Sequence, residues 1–125
     1  MKEALPYSVE IEALLKELAE SIQLINPGAV RNYFLNYFDI LDVIPQAVNA
    51  AKNNFPEAQL VMDIYQDPEI PDYYLVLYIR PKNYDDSVIE WLEKAEEEFI
   101  DKLANKRGWI QLTTDFRKAD GADVL

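Results

Sequence analysis

Apolar positions recur along this chain with two spacings, about 3.6 and 2 residues, and the points where one gives way to the other outline its elements. After Pro6 and Tyr7, Ser8 is placed to cap a helix whose stripe is Ile11, Leu14, Leu15, Leu18, Ile22 and Ile25, opposite Glu10, Glu12, Lys16 and Glu17. Asn26-Pro27-Gly28 ends it, because the residue before a proline is pushed out of the helical region. A second helix is expected to run to about Phe38 or Ile40. It carries a four-residue echo, Asn32-Tyr33-Phe34 and Asn36-Tyr37-Phe38, that stacks two aromatic pairs on one face. Asp42 can cap a third helix with Pro45 in its first turn and Ala47, Val48, Ala51 and Phe55 inward.

From Gln59 the period becomes two: Leu60, Met62 and Ile64 point one way, Val61, Asp63 and Tyr65 the other. Asp67 to Asp72 holds two prolines and reads as a turn, and Tyr73 to Arg80 returns as a strand with apolar bulk on both faces, expected to be covered on both. Ser87 with Glu90 matches a capping box for a long helix with Val88, Leu92, Ala95, Phe99 and Leu103 inside, Trp91 on its shoulder and Gly108 at its end. Trp109 to Phe116 alternates again.

The expected fold class is α+β, in the order αααββαβ. It comprises one domain over residues 1–116, a three-stranded sheet with the long helix on one face and N-terminal helices covering part of the rest, and a mobile tail over 117–125. The stretch from Phe55 to Phe116 contains Phe55-Pro56-Glu57-Ala58, Asp67-Pro68-Glu69 and Tyr74-Leu75-Val76-Leu77, followed by an acidic helix and a final strand. It resembles small bacterial α+β proteins of about this length that carry no assigned function. The resemblance covers about half of the chain and implies no activity and no catalytic residue.

Composition narrows the chemistry. The 125 residues include no histidine and no cysteine, which excludes thiol nucleophiles, Cys/His zinc sites and Ser-His-Asp machinery. The net charge is −11, unfavourable for binding a phosphate backbone. Five glutamates among the first 20 residues fit no secretory leader, and no uncharged apolar run reaches the ~20 residues of a membrane span. The expected location is therefore the cytoplasm, with no membrane partner. Much of the charge is local: residues 85–101 hold eight acids and one lysine, whereas residues 102–125 are net positive, an arrangement the helix dipole favours.

Four groups of residues are candidates for function. Asp63, Asp67, Glu69 and Asp72 are oxygen donors near a turn, but their spacing matches no calcium loop and Pro68 and Pro71 oppose one, so no metal is expected. Alternation aligns Asp63, Tyr65, Tyr74, Tyr78, Arg80, Trp109 and Asp115 on one sheet face, together with Val76, Gln111 and Thr113. That face is either ordinary core beneath the N-terminal helices or a surface for a protein partner or a second copy. With Arg80 its single cation, nucleic acid is disfavoured. Asp63 and Asp115 form a carboxylate pair only if the third strand lies beside the first. Tyr33, Phe34, Tyr37 and Phe38 are expected in the core. With glycine only at positions 28, 108 and 121, phosphate-binding loops are absent and no cofactor is expected. The preferred reading is a small acidic accessory or protein-interaction module able to self-associate, rather than an enzyme. The alternatives are a ligand binder or enzyme using Asp63, Arg80 and Asp115, and an acidic inhibitor or antitoxin-like partner of a basic protein.

Overall fold

The computed structural model describes residues 8–69 and 73–116. Helix α1 (Ser8–Ala19) leads to a short strand β1 (Gln23–Leu24), helix α2 (Pro27–Asn36), a 3-10 turn (Phe38–Ile40) and helix α3 (Ile44–Asn54). A hairpin of β2 (Gln59–Gln66) and β3 (Tyr73–Arg80) follows, then α4 (Ser87–Glu97), a second 3-10 turn (Ile100–Leu103) and β4 (Ile110–Thr113). The α+β class is as expected, but among the described residues the sheet has four strands, ordered β1-β2-β3-β4. β1 runs parallel to β2, β2 antiparallel to β3, and β3 parallel to β4. The tail expected over 117–125 lies outside the described residues, as do Ile70, Pro71 and Asp72 of the hairpin turn.

The extra strand comes from a helix that stops early. The turn at Glu20 to Ile22 closes on Glu17 and Leu18, so Ile22 keeps its place in the core while the chain beyond it extends along β2. Asn26 then caps α2 by accepting from the amide of Ala29 at 3.1 Å, and Pro27 occupies the first turn, where a missing amide costs nothing. α2 ends at Asn36, short of the expected Phe38.

Three expected caps are made differently. Val43, not Asp42, precedes α3, and its side chain makes no capping hydrogen bond. At α4 the Ser87–Glu90 box gives way to Asp85, whose carboxylate accepts from both the amide and the hydroxyl of Ser87. Gly108 ends no helix. It lets the chain approach the segment after α2 so closely that a Cβ would sit 2.8 Å from Ile40 Cγ2 and 2.9 Å from Tyr37 Cβ.

All four helices contribute to one core on one side of the sheet. Leu60 faces Ile79 across the hairpin, Met62 faces Leu77, and Leu75 and Leu77 register with Ile110 and Leu112. These residues pack with Ile11 and Leu15 of α1, Val30 and Phe34 of α2, Ala47 of α3 and Leu92 of α4. Each large apolar side chain fully removed from water contributes about 1.5–3 kcal/mol, so this layer supplies the main driving force for folding. Val61 and Val76, on the opposite face, are buried but belong to no part of that core. The N-terminal helices therefore do not cover the tyrosine face, and its residues are not core in the way one reading of the sequence expected. Of the elements expected on the two faces of β3, the described helices lie on one.

Candidate interaction surface

The register fixes the composition of the second face. Asp63 lies opposite Val76, Tyr65 opposite Tyr74 and Val61 opposite Tyr78 on the hairpin, while Val76 and Tyr78 pair with Gln111 and Thr113 of β4. On the outer side Gln23 pairs with Val61, and Ile25, whose amide donates to the Met62 carbonyl at 3.0 Å, continues the alternation beside Asp63. The Tyr65 and Tyr74 rings meet across the strands with centroids 5.2 Å apart. Tyr65 is 40% exposed, Trp109 37% and Ile25 49%, an apolar fringe around half-buried Tyr74 and Tyr78. Burial raises the pKa of both half-buried phenols. For Tyr74 the neighbouring Tyr65 and Asp67 add to it; for Tyr78 the carboxylates of Asp115 and Asp63 do. Both hydroxyls therefore remain neutral donors at physiological pH.

The face divides into two electrostatic halves. Arg80, the cation expected there, is buried and held by Asp115 through Nη2 to Oδ2 at 2.9 Å and Nε to Oδ2 at 3.2 Å. Thr114, next to it, shares a hydrogen bond with Tyr84 Oη at 2.8 Å and accepts from the Phe116 amide, and Phe116 adopts a left-handed φ of 62° there. Among the described residues Asp63 has no such counterion. Its Oδ1 accepts from the Ile64 amide at 2.8 Å, and it joins none of the ion pairs among the described residues.

Strand order also decides the proposed carboxylate pair. β4 lies beside β3, so β3 separates Asp63 from Asp115, and the arginine neutralises the latter. The acid–base pair is not assembled. The acidic turn is used by the backbone, with Asp67 accepting from the Glu69 amide at 2.8 Å, and no group of three acids that could hold a metal ion occurs among the described residues. A cavity of about 260 Å³ lies elsewhere, between Phe55-Pro56-Glu57 and Pro81-Lys82-Asn83, and includes none of the predicted site residues.

What supports the face from behind had no local signal in the sequence. Tyr33 is buried, and its hydroxyl accepts from the Trp109 amide at 2.9 Å and donates to the Trp109 carbonyl at 3.3 Å. Burial pushes its pKa up to about 12, although the hydrogen bond it accepts from the Trp109 amide works in the opposite direction. Asp39 accepts from the amides of Arg107 at 2.6 Å and Gly108 at 3.3 Å. Together they clamp the strand entry that presents Trp109. The indole is further tied through Gln111, which accepts from Trp109 Nε1 at 3.2 Å and donates to Glu96 at 2.7 Å. Burial raises the Glu96 pKa, against the effect of the Gln111 hydrogen bond. The aromatic echo contributes through Tyr33 and Tyr37, whose rings lie 4.6 Å apart and meet Tyr73 edge-on. No protein-family model matches the chain, and comparison with curated proteins and with solved structures yields no match.

Proposed function

We propose that the chain is a protein-interaction module that docks its partner on the sheet face carrying Tyr65, Tyr74, Tyr78 and Trp109. The observation that carries this reading is the one-sided sheet: the helical core lies behind it, and no described helix packs over the tyrosines. Tyr and Trp are the residues that anchor interfaces, because each adds a large apolar area with few rotatable bonds and a polar tip. The exposed apolar side chains there are Tyr65, Trp109 and Ile25, with Tyr74 and Tyr78 half-buried beside them. The alternative of carboxylate chemistry at Asp63, Arg80 and Asp115 finds no support in the geometry, because the acids are a strand apart and one is consumed by the arginine. The reading as an acidic inhibitor or antitoxin-like partner of a basic protein rests instead on the net charge of −11 and names no residue of this face.

The test is affinity capture from the native host with wild-type chain and with the Tyr65→Ser, Tyr74→Ser double variant, each shown to be folded by circular dichroism. Docking on this face requires a protein recovered by the wild type and lost by the variant. Equal recovery by both would remove the face from the interface.

A further inference from the structure

We infer that the segment docked on this face is a basic protein segment that sets an arginine or lysine side chain against Asp63. The inference rests on the docking reading above and adds the chemistry of the occupant. Asp63 stands two residues from Val61 and Tyr65 on β2, opposite Val76, and diagonal to Tyr74 and Tyr78, with Ile25 on its other side. A single carboxylate is thus ringed by aromatic and aliphatic side chains. Any partner that covers this ring strips water from the carboxylate, which an apolar partner cannot repay and a cation can. The tyrosine rings around it suit the same ligand, since a guanidinium or ammonium is attracted to an aromatic face.

The charge on the face points the same way. Arg80 pairs with Asp115, leaving Asp63 as the carboxylate of this face without a cation among the described residues, on a chain of net charge −11. A second copy of the chain docked through a two-fold axis would bring one acidic, aromatic face against another, and a nucleic acid would bring phosphates to it. A basic segment meets neither repulsion. Steering by the net charge further predicts fast, salt-sensitive association.

The probe is a phage-displayed library of random peptides selected on the immobilised full chain. Selected peptides are then measured by fluorescence anisotropy against wild type, Asp63→Asn, Tyr65→Ser and Trp91→Ala. Asparagine keeps the oxygen that accepts from the Ile64 amide, so the strand is not disturbed. Trp91, on the outer side of α4 under Lys94, serves as the control. The expected result is enrichment of Arg or Lys in the selected peptides, with binding weakened at least about tenfold by Asp63→Asn, weakened by Tyr65→Ser and unchanged by Trp91→Ala. Selected peptides without basic residues that still depend on Tyr65, or basic peptides that ignore Asp63→Asn but lose affinity with Tyr65→Ser, overturn the inference and leave the docking reading standing. Peptides indifferent to both substitutions, or no peptide selected, overturn the docking reading too. A wild-type dimer by light scattering that Tyr65→Ser abolishes would make a second copy the occupant and would also overturn the inference.

Discussion

Replacing Tyr33 by phenylalanine removes one oxygen atom and leaves the ring packing intact, so it isolates the clamp on Trp109. The Trp109 carbonyl keeps a partner in the Leu75 amide at 3.2 Å, whereas the Trp109 amide loses the acceptor at 2.9 Å. A part-buried donor left without its partner costs about 1–3 kcal/mol. With a urea slope of about 1.5 kcal/mol per molar, the unfolding midpoint at neutral pH should fall by roughly 0.7–2 M. A second signature follows from ionisation. The phenol titrates near 12 in the folded chain, against an ordinary value of about 10 when unfolded. Below about pH 10 both states hold the proton and the full stability is present; between about 10 and 12 only the unfolded state releases it, so stability falls as pH rises. At about 1.4 kcal/mol per unit, that loss amounts to about 2–3 kcal/mol, and Tyr33→Phe should remove this component of the alkaline decline. Urea unfolding followed by far-ultraviolet circular dichroism at neutral pH and at several points above pH 9 reads both effects. A Tyr33→Phe chain as stable as wild type at neutral pH, or with the same alkaline slope, would refute the reasoning.

Two further substitutions test the packing behind and beside the face. Gly108→Ala places a Cβ within 3 Å of Ile40 and Tyr37 and should destabilise by about 1–3 kcal/mol, seen as a lowered melting temperature; an unchanged melt would contradict the close approach. Asp115→Asn weakens a pair whose arginine is buried and should cost about 1–3 kcal/mol in urea unfolding at neutral pH. No change at neutral pH would show that the pair does not hold the end of β3.

The hairpin and the composition of its second face were legible because alternation is local: Leu60 to Tyr65 and Tyr73 to Arg80 assign their own faces once the period is read. Which side the helices choose was not, because β3 is apolar on both faces and periodicity within a helix says which residues are inside without saying which side of a sheet receives them. β1 escaped because two residues carry no period, and Ile22 at helical spacing from Leu18 disguised the break. Tyr33 and Asp39 look like ordinary helix and turn residues until the chain brings residues 107 to 109 beside them. Gly108 was a visible signal with the wrong meaning, since a glycine after a helix and a glycine at a close approach look alike in sequence. The relation of Asp63 to Asp115 depended on strand order alone, and the order that formed gives Arg80 to Asp115 and leaves Asp63 among tyrosines.

The central claim is that partners bind on the tyrosine face of the sheet. Hydroxyl-radical footprinting with mass spectrometry, applied to the full chain alone and bound to its selected peptide or captured partner, tests it most directly. The account predicts that oxidation of Tyr65, Tyr74 and Trp109 falls severalfold in the complex while Trp91 on α4 reacts as before. Protection of Trp91 with unchanged reaction at the sheet tyrosines would contradict it.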